Sequence, residues 1–94
     1  MRKKPKLSKN VGKDIVLCKT TNRIVSRRTT SLLLEQSVPF SKTYHRVPLF
    51  LRHNYNGADI IYVFSINRTQ YSHARRVLSL LEEHDYNRLS LNVI

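Results

Sequence analysis

An internal repeat constrains this chain more than any other feature. Asp14-Ile15 returns 45 residues later as Asp59-Ile60, and Asn22-Arg23 returns at the same offset as Asn67-Arg68. The register then slips by three. At offset 48, Arg27-Arg28 matches Arg75-Arg76, Ser31-Leu32-Leu33 matches Ser79-Leu80-Leu81, and Glu35 matches Glu83. Ten identities in about 22 positions, with one gap, exceed what chance would give. A chain of 94 residues buries only about 60 to 65% of its unfolded surface, which leaves room for one core. Both copies must therefore share it.

Each copy reads as strand, short turn, helix and strand. In the second, Asp59 to Ser65 is β-branched and aromatic, which suits a pleated strand. Asn67 caps the helix that follows, with Gln70 at capping-box spacing. Ala74, Val77, Leu78 and Leu81 recur at i, i+3, i+4 and i+7, predicting one apolar stripe on a helix that runs to His84. Arg88 to Val93 then alternates at period two, so Leu89, Leu91 and Val93 share a face of a closing strand. The first copy is parallel to this: a strand from Ile15 to Lys19, Asn22 as cap, and a helix to about Gln36 burying Val25, Thr29, Leu32 and Leu33. Val38-Pro39-Phe40 opens an extended stretch. Pro48 makes that strand an edge strand, and Asn56-Gly57 is a hairpin turn into the next one. The order β-α-β-β-α-β predicts an α+β, ferredoxin-like domain over residues 14–94, with a four-stranded antiparallel sheet and two helices on one face. Residues 1–13 read as a flexible basic arm.

Leu32-Leu33-Leu34-Glu35, Val38-Pro39-Phe40, Tyr62-Val63-Phe64 and Ala74-Arg75 together resemble the pattern of a group of small bacterial signal-transducing domains. The resemblance spans most of residues 14–84 and implies the same fold. Ser37 stands where that group usually carries glycine, and those domains are generally less basic.

Charge supplies the functional expectation. Seventeen Lys and Arg against six Asp and Glu give a formal +11. Six of the basic residues, among them Lys3, Lys4 and Lys6, lie in the first 13 positions without an acid. Such a chain suits an anionic partner. Arg27-Arg28 and Arg75-Arg76 occupy equivalent helix positions, so a pseudo-two-fold would present four guanidinium groups on one helical surface to a phosphate backbone. Arg23 and Arg68 follow the two caps, where free N–H groups already attract anions. The bland alternative pairs these arginines with Glu35, Glu82 and Glu83 as a solvated face. The open sheet face competes as a site. If Ile61 and Val63 face the helices, Tyr62 and Phe64 point outward with Arg88, Ser90 and Asn92 as a base-stacking platform. The same two aromatics serve equally as inner-face residues or as the seam of a homodimer.

Catalysis finds no support. The carboxylates are scattered, and His45, His53, His73 and His84 are 8, 20 and 11 residues apart, without the spacing of a helical metal site. Cys18 has no partner cysteine for a disulfide. The positive start lacks the apolar stretch of a signal peptide, and no apolar run approaches the ~20 residues of a membrane helix. The sequence thus predicts a cytoplasmic, non-enzymatic protein without cofactor or metal. It binds nucleic acid, RNA or DNA, through Arg23, Arg27, Arg28, Arg68, Arg75, Arg76 and the lysine-rich arm. The alternative is a protein-binding regulatory module, an inhibitor or adaptor from a mobile element, whose partner would be an acidic protein.

Overall fold

The computed structural model of the chain describes residues 14–93; the basic segment with Lys3, Lys4 and Lys6 lies outside the described residues. The order is β1 (Asp14–Thr20), α1 (Arg23–Glu35), β2 (Ser41–Arg46), a 3-10 segment (Leu49–Tyr55), β3 (Ile60–Asn67), a 3-10 turn (Arg68–Gln70), α2 (Tyr71–Leu78), α3 (Glu83–Tyr86) and β4 (Ser90–Leu91). The strands form one antiparallel sheet in the order β2-β3-β1-β4. Helices α1 and α2 touch each other, and both touch β1. The fold is α+β, as the repeat predicts. Among the described residues no helix is long and apolar enough to cross a membrane.

Local chemistry sets the helix entries. The Asn22 side-chain oxygen accepts from the N–H groups of Ile24 and Val25 at 2.9 and 3.0 Å, satisfying donors that have no partner within the helix. Asn67 takes the same role for Thr69. Its first turn, however, is 3-10, and the α-helix proper starts only at Tyr71. The second helix also ends earlier than its apolar stripe predicts. The Leu80 and Leu81 N–H groups bond to the carbonyls of Val77 and Leu78, three residues back. The chain then extends at Glu82 and resumes as α3. That break lets Leu81, Tyr86 and Leu89 reach the core together. It also shortens β4, which the alternation of residues 88–93 predicted to be longer.

The end of α1 has a cost. Val38 N–H bonds to the Leu33 carbonyl and Ser37 N–H to the Leu34 carbonyl, the paired bonds of a Schellman ending. This geometry requires Ser37 to adopt φ +58°, a left-handed conformation that glycine takes far more readily. Asn56 and Gly57 are also left-handed, at φ 58° and 83°. They close the 3-10 segment rather than joining two strands directly, because residues 47–59 separate β2 from β3. Strand β2 pairs only with β3. Pro48, which has no N–H to give, sits just beyond its end.

Sheet pairing fixes which face each β3 residue occupies. Phe64 lies opposite Cys18 and Lys42, and it is fully buried together with Ile66. Tyr62 packs against the same core. Alternation then turns Ile61, Val63 and Ser65 away from the helices. The outward platform of Tyr62 and Phe64 is therefore not formed. Burying phenylalanine stabilises by up to roughly 3 kcal/mol, more than valine at the neighbouring position can return. In β1 the register shifts between Val16 and Cys18, a bulge that places both Leu17 and Cys18 in the core. Asn92 closes the irregularity: its backbone N–H bonds to the Leu17 carbonyl, and its side-chain amide bonds to the Val16 carbonyl at 2.8 Å.

Candidate nucleic-acid interface

The two arginine pairs share a sequence pattern but not an environment. Arg27 and Arg76 are exposed and pair with no carboxylate among the described residues. Arg28 instead reaches 57 positions along the chain, placing Nη1 3.0 Å from both oxygens of Asp85. The Asp85 side chain is 3% exposed and that of Arg28 is 55% exposed. The break after α2 positions this carboxylate. Arg75 folds back onto its own helix, where it lies over the Tyr71 ring at 5.6 Å and donates to the Tyr71 hydroxyl. The Tyr71 hydroxyl bonds in turn to the Asn92 carbonyl. The bond to Tyr71 raises the Arg75 pKa, against the opposing effect of burial. Two of the four guanidinium groups are thus engaged by partners of the chain itself, Arg28 while still half-exposed at the surface.

Arg23 and Arg68 are both exposed. They follow β1 and β3, which run antiparallel, so they leave from opposite ends of the sheet and do not converge. Glu35, Glu82 and Glu83 form no ion pair with any described arginine. The solvated ion-pair face offered as the bland alternative is absent among the described residues.

A residue missed in the sequence extends the basic surface. Lys42 of β2 donates to the Thr30 hydroxyl of α1 at 2.9 Å, and its ammonium lies 5.7 and 5.5 Å from the ring centres of Tyr62 and Phe64. Burial, and then the charge of Arg27, lower its pKa. Arg27 and Lys42 are therefore like charges on adjoining elements, and neither pairs with a carboxylate among the described residues. Only the contact of β2 with α1 reveals this, since nothing in the local sequence marks Lys42.

The face of the sheet away from the helices carries a second basic region. Lys19 lies opposite Val63 and Ser90, out of phase with the buried Cys18. A cleft of about 370 Å³ opens there, lined by the end of β1, the end of the 3-10 segment, Ile61, and the turn from Asn87 to Ser90. Arg88 also lines it and lies 3.2 Å from the His84 ring nitrogen. Cys18 is fully buried, and that burial pushes its thiol up to about 12. Among the described residues no three His, Cys, Asp or Glu side chains gather to hold a metal ion. Comparison with known protein families, characterised proteins and solved structures finds no match in any of the three.

Proposed function

We propose that this is a small basic nucleic-acid-binding protein that grips the phosphate backbone, built on a ferredoxin-like β-α-β-β-α-β frame with both helices on one face. The frame is supported by the β2-β3-β1-β4 order and by the contacts of α1 and α2 with each other and with β1. One observation carries the functional reading. Residues 14–93 hold eleven Lys and Arg side chains and six carboxylates, yet a single Lys or Arg ion pair forms among them, Arg28 with Asp85. Surface charges left unneutralised, with Arg27 set beside Lys42, favour an external polyanion, whose binding releases condensed counterions. Arg27, Arg76, Arg23 and Arg68 are the exposed helix contacts, Arg28 and Arg75 contribute less, and Lys3, Lys4 and Lys6 add charge from the arm. The reading needs no catalytic group or cofactor, and it fits a cytoplasmic protein.

Titrating the full chain and a chain lacking residues 1–13 against RNA, duplex DNA and single-stranded DNA at two salt concentrations tests this. Affinity falls steeply with salt, and the truncation flattens the slope because six positive charges leave. Absence of binding to all three would sink the reading.

A second reading, a protein-binding regulatory module, is favoured by Leu49 and Phe50, each 76% exposed beside Pro48. It accords with the resemblance to signal-transducing domains. On that reading Phe50→Ala abolishes capture of a partner that survives nuclease treatment, since a few buried anchors dominate such interfaces.

A further inference from the structure

We propose that the cleft on the open face of the sheet, where the ends of β1 and of the 3-10 segment meet the start of β4, receives an unpaired nucleotide of a single strand. This rests on the nucleic-acid reading and deepens it by naming where a base is held. Lys19 and Arg88 bring two positive charges to the cleft, and no carboxylate lines it. Tyr55 brings an aromatic ring that is 37% exposed, a surface on which any base can stack. Asn54, Asn56 and Asn87 bring three side-chain amides, none of them hydrogen-bonded to another described residue. An amide offers both donors and an acceptor, which is what the edge of an unpaired base presents in return. Cation, ring and amide are the three contacts a nucleotide's phosphate, base face and base edge require. The volume of about 370 Å³ lies within the roughly 300 to 1,000 Å³ of small-ligand sites.

The strand has somewhere to continue. A neighbouring depression of about 460 Å³ runs along β1 and β4 and shares Lys19 and Ser90 with the cleft. A duplex keeps its bases stacked and paired, so it cannot offer an edge and a face here together. The occupant is therefore single-stranded. RNA and DNA supply the same base and phosphate, and they differ at the 2′-hydroxyl.

The test titrates the full-length chain with a labelled oligouridylate, an oligodeoxyuridylate of equal length, and a duplex of equal length. Tyr55→Leu, which removes the ring and keeps apolar bulk, weakens both single strands by about tenfold and leaves the duplex within about twofold. Lys19→Gln, at an exposed position, weakens single-strand binding about fivefold by removing a positive charge from the phosphate, and it serves if Tyr55→Leu fails to fold. In amide NMR the side-chain signals of Asn54, Asn56 and Asn87 shift on adding the oligouridylate. A stronger shift with oligouridylate than with oligodeoxyuridylate assigns the site to RNA, and equal shifts assign it to either strand. If the wild type binds single strands while both variants bind them equally well, the cleft is wrong and the phosphate-gripping reading stands. If the wild type binds no nucleic acid, both fall.

Discussion

Arg27-Arg28 and Arg75-Arg76 are the same dipeptide at the same point of a repeat, and the molecule uses them differently. In the first pair the leading arginine is exposed and the second holds Asp85. In the second pair the leading arginine turns inward onto Tyr71 and the second is exposed. The cause is helix rotation. α1 buries Val25, Ser26, Thr29 and Leu33, whereas α2 buries Ala74, Val77 and Leu78 with Tyr71 and Arg75 beside them. Ser26 and Thr29 still match Ala74 and Val77 at offset 48. Yet the buried stripe of α2 has turned toward Tyr71, Arg75 and Leu78. The repeat thus keeps two core positions, Ser26 with Ala74 and Thr29 with Val77, and leaves the flanking charges to be decided by how each helix turns on the sheet.

The largest expected effect separates the two members of the first pair. Arg28→Ala leaves the buried Asp85 carboxylate without its cation and costs about 2 kcal/mol in urea unfolding, while Arg27→Ala stays within about 0.5 kcal/mol. Equal costs would mean that the His84 ring, whose Nδ1 lies 3.7 Å from an Asp85 oxygen, takes over from Arg28. The next effect compares the buried faces. The Ser26 and Thr29 hydroxyls are buried with no hydrogen-bond partner, a burden that their counterparts Ala74 and Val77 do not carry. Thr29→Val therefore stabilises by about 1 kcal/mol, and Val77→Thr destabilises by at least as much; thermal melts of the two variants should move in opposite directions. The smallest effect lies at the end of α1. Ser37→Gly relieves the φ of +58° and raises stability by about 0.5 kcal/mol, after the entropy that glycine adds to the unfolded chain. No gain at all would mean that the left-handed turn is not strained.

Features that local chemistry determines were legible in the sequence. Asn22 and Asn67 act as caps because their side chains meet donors two or three residues away. Leu33 goes inside because it continues the helical i, i+4 spacing of Val25 and Thr29, the buried stripe of α1. The face taken by β3 was open, since Ile60 to Ile66 is apolar at both alternating sets and periodicity alone cannot choose between Phe64 and Val63. The break after Leu78 was hidden because the apolar stripe continues through Leu81, although the helix does not. Asp85 carries no local sign of its partner, which lies 57 residues away. Tyr55 reaches the open face only through a 3-10 segment whose sequence reads as part of a strand and hairpin.

The distinction between exposed and occupied arginines is also the most direct test of how the protein meets a polyanion. Anisotropy of a labelled RNA is followed over a salt series, at a temperature where every variant is folded, for the wild type and two double variants. Arg27→Ala with Arg76→Ala should lower affinity and reduce the salt slope by about two, one for each phosphate that is no longer neutralised. Arg28→Ala with Arg75→Ala should leave the slope nearly unchanged, because those side chains already serve Asp85 and Tyr71. A larger loss of slope from the second variant than from the first would contradict the account.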